Sequence, residues 1–523
     1  MRKVKISARI IFIPWYVVDG KHVRIKTVDF LNFLVFLNIM VAKIGKEREY
    51  VLIENNIIRI IEVSDIVQML LRWLDENFVK FEEEVPIDDV KEAFINKSSM
   101  LFDKTTLFFL KEIEFKQKFD PKDESYFYFL NTAVKVDKGG IHLIKYTDLQ
   151  WLIMEEQVVK RDFFLPKKPL DKLTIPYQIF IWNIAGQDEV RYKAFMSVIG
   201  YLLHRYQDAA NAKAINLLDE TEETDLAEGG RGKSLFVKAI GFMVTVCALS
   251  GKDFTRNNIF AFQRVNRYTS VLLIDDAGHN LRFEVFYNRI TDGFAVNVKY
   301  KQEYHIPFEE SPKVVITSNH ILKALAGNST DRRRYEIELS SHYGKDLTVY
   351  DDFGHYFFTD WDQKQWDEFT LYMLSCVQLY LIEGLIEAPS IHLNERRLVS
   401  ELGIEFLDFM EEELNGKTKL HKKELFSKFS KGGYVNQRYL PNQRTFTTKV
   451  KKYLEYKDIP YRETPLNTRM YFEILTEKDL KPMITIDSVD TDYRTVDTTN
   501  KLTRLVNQLQ KFFSTGTDNT TKN

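Results

Sequence analysis

Ala227-Glu-Gly-Gly-Arg-Gly-Lys-Ser234 is followed further along the chain by Val271-Leu-Leu-Ile-Asp-Asp276. A polyphosphate is gripped by backbone N–H groups that close around its oxygens. A Cβ at the closest points would collide, so glycines are needed there. An ammonium for the β- and γ-phosphates and a hydroxyl for a metal ion complete such a loop, and Lys233 and Ser234 supply them. Gly229, Gly230, Arg231 and Gly232 form the cradle, although Ala227 stands where the usual spacing has a glycine. A glycine-rich turn capping a surface helix would use the same residues. The second stretch argues against that reading. Four apolar residues read as a buried strand, and the paired aspartates at its end set a metal ligand beside the phosphates. Together the two stretches imply nucleotide hydrolysis, with ATP and Mg2+ as the expected ligands.

In such a site Asp275 and the Ser234 hydroxyl hold the metal, while Asp276 orients or deprotonates the attacking water. An aspartate at 276, where glutamate is commoner, leaves the base assignment open. Val314-Val-Ile-Thr-Ser-Asn319 reads as another buried strand. In a parallel sheet the strand ends converge on the ligand crevice, so Asn319 can bond the γ-phosphate or the water. A plain strand-to-loop transition also favours asparagine. Three arginines, Arg332, Arg333 and Arg334, then precede an alternating strand. They suit either a solvated edge or, in an oligomeric ATPase, stabilisation of charge on a neighbouring subunit's γ-phosphate.

The 523 residues suggest several domains, and the 44% apolar and 28% charged content is that of ordinary globular chains. Two cysteines, Cys247 and Cys376, are too few for a disulfide framework or a zinc site and fit a reducing cytoplasm. No apolar run is long enough for a membrane span. Phe30 to Ala42, interrupted by Asn32 and Asn38, reads as a buried helix. Arg2, Lys3 and Lys5 before Ile10-Ile-Phe-Ile resemble a signal peptide start, but Pro14 and the lack of a small-residue cleavage site favour an N-terminal strand.

Tyr50–Glu54 and Ile57–Glu62 form a hairpin about Asn55-Asn56, with a helix from a Ser64/Asp65 cap to Asp75. A second hairpin is expected through Tyr126–Leu130 and Ile141–Ile144, turning at Lys138-Gly139-Gly140. Lys160 to Pro176, with three prolines, reads as a linker. Asp188 to Gln207 is patterned as a helix, and Ala214–Leu218 as the first strand of the sheet. Strands and helices alternate to about residue 345, as a parallel α/β sheet requires. Asp362 to Gly384 reads as one or two amphipathic helices. Beyond Glu477 the chain is Thr/Asp/Asn-rich, apart from a helical stretch at Leu502 to Phe513, and reads as a mobile tail.

The order Glu228-Gly-Gly-Arg-Gly-Lys-Ser, Ile274-Asp-Asp, Ile316-Thr-Ser-Asn and an arginine cluster resembles the superfamily 3 helicases. More narrowly it resembles the poxvirus-type primase-helicase ATPases of phages, prophages and other mobile elements. The likeness extends through Ile199-Gly-Tyr-Leu-Leu-His and Asp360-Trp-Asp…Trp366…Phe369, covering about residues 120–475. It implies an AAA+ protein that forms hexameric rings around DNA. Between the second and third motifs this family inserts a hairpin that carries basic residues into the ring channel. Here that interval holds Lys299, Lys301 and His305 as candidate DNA contacts, with Tyr300 or Tyr304 able to stack on a base. Strand alternation places Lys299 and Lys301 on one face. A polar surface hairpin is the alternative.

From Lys417 to Lys457 there are twelve Lys/Arg against two acids, Glu424 and Glu455, a footprint for a polyanion. Helices at about Lys422–Lys431 and after Asn442, then a strand pair ending at Leu475, make a winged-helix pattern. Gln443, Arg444, Thr447, Thr448 and Lys451 fall on or near the exposed side of its recognition helix, with Arg462 and Arg469 on the wing. A charged face on a scaffolding domain is the alternative.

The expected architecture is an AAA+ α/β core at 181–350, flanked by an α+β domain at 1–180. A helical segment at 351–394, a winged-helix domain at 395–477 and a tail at 478–523 complete it. The expected function is an ATP-dependent DNA helicase for a phage or mobile element, working as a homo-hexamer in the bacterial host cytoplasm. No convincing Asp-x-Asp strand motif precedes residue 180, and Asp88-Asp89 and Asp120…Asp123 read as loops, so priming, where it is needed, would come from a separate protein. The rivals are an ATP-dependent initiator or loader that does not unwind, and a non-enzymatic DNA-binding regulator on a degenerate ATPase fold.

Overall fold

The computed structural model describes residues 3–6, 9–12, 16–19, 22–44, 47–77, 86–167, 173–220, 230–251, 258, 260–278, 281–300, 302–322, 328–415, 417–434, 440–466 and 469–475. Side chains are described from residue 23 onward, except at 328, 329 and 400. Two compact units are formed, Met1–Arg397 and Leu398–Asn523.

The first unit begins with two antiparallel ribbons, β1 (Lys3–Ile6) with β2 (Arg9–Phe12) and β3 (Tyr16–Asp19) with β4 (His22–Ile25). There follow α1 (Thr27–Phe36), β5 (Ile39–Ile44), β6 (Glu47–Glu54), β7 (Ile57–Ile60), α2 (Val63–Asn77), α3 (Ile87–Leu101), α4 (Lys104–Leu107) and β8 (Glu112–Phe115). Phe30 to Ala42 is therefore not one helix. Asn38 takes a positive φ of 63°, a conformation asparagine tolerates, and the β-branched residues beyond it enter a strand. Asn55 and Asn56 also have positive φ (49° and 63°), which suits the two-residue turn between β6 and β7.

The next strands are β9 (Glu124–Phe129), β10 (Ala133–Asp137), β11 (Gly140–Ile144), β12 (Ile153–Met154) and β13 (Val158–Val159). The expected second hairpin is a three-stranded meander, because Ala133–Asp137 pairs with both β9 and β11. One sheet runs β12-β7-β6-β5-β8 and another β11-β10-β9-β13. The expected linker is packed rather than free. Phe163 is buried, and the Arg161 guanidinium donates to the Phe242 carbonyl (2.7 Å) and lies over the Trp366 ring (4.7 Å).

The central layer contains α5 (Pro176–Ile184), α6 (Glu189–Leu203), β14 (Ala214–Asp219), α7 (Lys233–Gly241), β15 (Val246–Ser250), β16 (Val271–Asp275), α8 (Tyr287–Thr291), β17 (Phe294–Val296), β18 (Tyr304–Ile306), β19 (Lys313–Ser318), α9 (Asn328–Asp331) and β20 (Arg334–Leu339). Its sheet runs β15-β16-β19-β14-β20 with every neighbouring pair parallel. All six residues of β14 and all six of β19 are buried, as a sheet covered on both faces requires. This mixed α/β arrangement brings the carboxyl ends of β14, β19 and β16 together. Asp362–Gly384 forms a single helix, α11 (Gln363–Glu383), after the short α10 (Val349–Phe353), and α12 (Leu393–Leu402) follows.

A buried polar joint closes the amino end of the sheet. Lys313 donates to the carbonyls of Tyr201 (2.5 Å) and His204 (2.5 Å) at the end of α6, and stacks on the Tyr201 ring (4.1 Å). A helix carboxyl end is a favourable place for a cation, yet burial still pulls the Lys313 pKa down to about 7. Asp120 accepts the Ser125 hydroxyl (2.7 Å) and the Tyr126 (3.0 Å) and Arg205 (2.8 Å) N–H groups, so it ties segments together. Asp88 and Asp89 lie in the first turn of α3 rather than in a loop.

In the second unit the elements are α13 (Ile404–Leu414), β21 (Lys419–His421), α14 (Lys422–Lys431), α15 (Gln443–Tyr456), β22 (Tyr461–Leu466) and β23 (Arg469–Ile474). Its sheet runs β21-β23-β22. The core gathers Phe406, Phe409, Phe429, Phe446, Val450 and Leu454. The expected tail, with its helical stretch, lies outside the described residues.

Candidate active site

Gly232 starts α7 in the left-handed conformation, with φ at 106°. A Cβ there would lie 2.8 Å from the Phe180 ring of α5. Glycine is therefore required both by conformation and by packing. Gly230 (φ 102°) precedes it, while Gly229 lies outside the described residues. The first N–H groups of the helix that follows have no partner within the helix, a setting that favours anions. Ser234 is exposed in the first turn, and Arg231 is half-buried beside it.

The Lys233 ammonium lies among groups from three parts of the chain. It is ion-paired with Asp219, the last residue of β14, and donates to Asn319 Oδ1 (2.7 Å) just past β19. Burial lowers the Lys233 pKa, with Asp219 opposing that shift. Asp219 was not among the residues expected from sequence. It is fully buried, and its Oδ1 has no hydrogen-bond partner among the described residues.

On the neighbouring strand the Thr317 hydroxyl donates to Asp275 Oδ1 (2.7 Å) and accepts the Asp276 N–H (2.8 Å). One side chain of β19 thus fixes both aspartates. Asp276 takes a positive φ of 55°, uncommon for a residue other than glycine, which turns its exposed carboxylate away from the strand line. Thr317 is buried, and the Val314–Asn319 stretch contained it without marking its role.

Beneath these tips lies a second residue that sequence reasoning missed. Arg396 of α12 is buried, and its guanidinium donates to the carbonyls of Asp219 (2.8 Å) and Asn319 (3.1 Å). It ties together the backbones of the two residues that hold Lys233. Burial lowers its pKa, with Glu338 and Asp219 opposing. Glu338 in turn accepts the Ile391 N–H (2.7 Å) at the approach to α12.

The ligands that fit are set by these donors. N–H groups, an ammonium and a guanidinium suit a polyphosphate. A serine hydroxyl and the Asp275 carboxylate are hard oxygen donors of the kind Mg2+ takes, with phosphate and water completing its shell. Among the described residues no group of three or more His, Cys, Asp or Glu is placed to hold a metal alone.

The arginine cluster lies elsewhere. The β14–β20 register pairs Ala214 with Arg334 and Asp219 with Leu339, so the arginines stand at the opposite end of the sheet from Lys233. At roughly 3.3 Å per residue that separation is about 17 Å, too far for contact within one copy. Arg332 is exposed, and the Arg333 guanidinium lies over the Tyr287 ring (5.4 Å).

The β17–β18 hairpin pairs Phe294 with Ile306 and Val296 with Tyr304. Its ladder ends at Val296, so Lys299 sits beyond the strands. Lys301 itself lies outside the described residues. Gly293 (φ 96°) allows the entry turn, because a Cβ would fall 2.4 Å from the Ile306 carbonyl oxygen. Tyr300 is fully exposed at the tip beside exposed Lys299, and His305 is exposed on β18. Tyr304 is committed inward, its hydroxyl donating to Val265 (2.7 Å).

In the second unit much of the positive charge is paired. Lys422 and Lys451 share Glu463, Lys452 meets Glu401 (2.7 Å), Lys417 (2.7 Å) and Lys428 (3.0 Å) meet Glu413, and Arg462 meets Glu473 (2.7 Å). Across residues 398–475 there are fourteen Lys/Arg and eleven Asp/Glu, so the local excess is smaller than Lys417–Lys457 alone implies. Arg444 is exposed in the first turn of α15, after the Asn442 cap, with Gln443 and Thr448 also exposed.

No family model matches the chain, and no curated protein matches it. Among solved structures, an apo form of the NrS-1 C-terminal region aligns with a TM-score of 0.40 and 13% identity over 85% of this chain and 98% of that one. A second apo structure of that region gives 0.37 over the same coverage, also at 13% identity. JCV helicase, bound to a phenoxyphenyl acetamide, aligns with a TM-score of 0.26 and 10% identity over 40% of this chain and 55% of that one.

Proposed function

We propose that the chain is an ATP-driven DNA helicase of the ring-forming AAA+ kind, acting in replication of a phage or mobile element. The observation that carries this reading is the convergence at one end of the parallel sheet. There Lys233, Asn319 and the Thr317-bound Asp275–Asp276 pair meet a left-handed glycine at a helix start. ATP would be cradled by Gly229–Gly232, with Lys233 and Arg231 facing its phosphates. Ser234 and Asp275 would hold Mg2+, which when bound screens phosphate charge and polarises the phosphoryl group. Asp276 would orient or deprotonate the attacking water, and Asn319 would fix its position.

The distance between the arginine cluster and Lys233 within one copy supports a site completed in trans. Arg332 or Arg333 of a neighbouring copy would then stabilise charge on the γ-phosphate, which requires a homo-oligomer, with a hexamer as the proposed form. The exposed Lys299 and Tyr300 at the hairpin tip suit a single strand in a channel, by charge and by stacking. The second unit has the element order of a winged helix, and Arg444 at the exposed start of α15 is its best-placed DNA contact, with Lys451 held back by Glu463. The test is ATP turnover with and without single-stranded DNA. Turnover should rise severalfold with DNA; an unresponsive ATPase would point to an initiator or loader, and no turnover at all to a binding protein.

A further inference from the structure

Among the described residues, Asp219 is an acid of the site that the proposed hydrolysis does not use. A buried carboxylate is costly unless it is paired, and the described partner of this one is the ammonium that the phosphates also need. We infer that Asp219 is a built-in competitor that occupies Lys233 until a nucleotide takes it over. This rests on the reading of Gly230–Ser234 as a phosphate loop.

The geometry favours competition over support. The carboxylates usually placed by such a loop, Asp275 and Asp276, are held on β16 by Thr317. Asp219 instead ends the strand that leads into the loop, directly beneath the lysine. Lys233 Nζ has three protons, and Asp219 and Asn319 take two of them. Asn319 is neutral and can share the ammonium with a phosphate. Asp219 is an anion in a water-poor place, so it both weakens the pull of Lys233 on a phosphate and repels the phosphate itself. Among the described residues its Oδ1 has no second donor to fall back on when the lysine leaves. Binding must therefore overcome a preformed ion pair, and the empty site discriminates against anions too weak to break it.

The experiment measures Mg·ADP affinity by calorimetry and ATP kinetics for wild type, Asp219→Asn, Asn319→Ala and Lys233→Ala. Asp219→Asn keeps the shape and removes the charge. It should bind Mg·ADP about tenfold more tightly, the size of a typical coupling between two ligands of one group. Its KM for ATP should fall by a similar factor while kcat changes little. Asn319→Ala should not tighten binding. Should the asparagine variant fail to fold, Asp219→Ser carries the same expectation. Weaker or unchanged binding in the Asp219 variant, with Lys233→Ala still abolishing it, would overturn the competitor role and leave the nucleotide site standing. If neither wild type nor the Asp219 variant binds nucleotide, both readings fall.

Discussion

Lys233→Ala is expected to lower ATP turnover by about 10²–10³-fold, the usual effect of removing one preorganised charge from a phosphoryl-transfer site. Among the described residues nothing nearby replaces it: Arg231 is set on the loop rather than beneath it, and Lys238 is exposed further along α7. The same change has a second consequence specific to this chain. Asp219 loses its counter-ion and is left as a buried, unpaired carboxylate, which costs about 3–5 kcal/mol. Lys233→Ala should therefore melt at a lower temperature than wild type. The double variant Lys233→Ala/Asp219→Asn should recover most of that loss while remaining inactive. Thermal melting and turnover on the four proteins of this cycle separate the lysine's part in stability from its part in chemistry.

Arg396→Met is expected to have the next largest effect. The methionine fills much of the stem volume but leaves the buried Asp219 carbonyl and the half-buried Asn319 carbonyl without this donor. A buried orphan costs about 1–3 kcal/mol and a half-buried one less, so a loss of about 2–4 kcal/mol is expected. The damage should also reach catalysis, because the Asn319 backbone carries the side chain that positions Lys233 and, on the proposed function, the attacking water. Arg396→Lys, with a single cationic head in place of the fork, should fall between wild type and the methionine variant. The measurement is melting temperature beside KM for ATP. A methionine variant with unchanged KM would show that the strand tips hold their positions without the arginine.

Much of the sheet was readable from residue pattern. Val271–Asp275 and Val314–Ser318 are apolar runs ending in polar residues, and such runs are strands buried on both faces. Lys233 and Ser234 stood out as candidates because few loops other than phosphate loops need that spacing of glycine, lysine and hydroxyl. Asp219 was hidden by its neighbours: Glu220, Glu222, Glu223, Asp225 and Glu228 follow it closely, and a charge run reads as solvated. The available signal was its place at the end of an apolar strand, the same place that marked Asp275. Arg396 was hidden likewise in Asn394-Glu-Arg-Arg397, where both arginines turn inward to carbonyls and a carboxylate. The strand at Ala133–Asp137 was missed because Lys135 interrupts its apolar pattern, and that lysine is ion-paired with Asp137 (2.9 Å). The lysine surplus of the second unit misled in the opposite direction. The acids that offset it lie before Lys417 and after Lys457, and only the folded sheet and helices bring them together.

On the proposed function, ATP hydrolysis at Lys233 is coupled to separating DNA strands. The most direct measurement is displacement of the labelled strand from a forked duplex by the full chain with Mg·ATP. Displacement is expected with ATP, none with a non-hydrolysable analogue, and none for Lys233→Ala. A wild-type protein that hydrolyses ATP in the presence of the fork yet leaves the duplex intact, at concentrations where the oligomer forms, would contradict it.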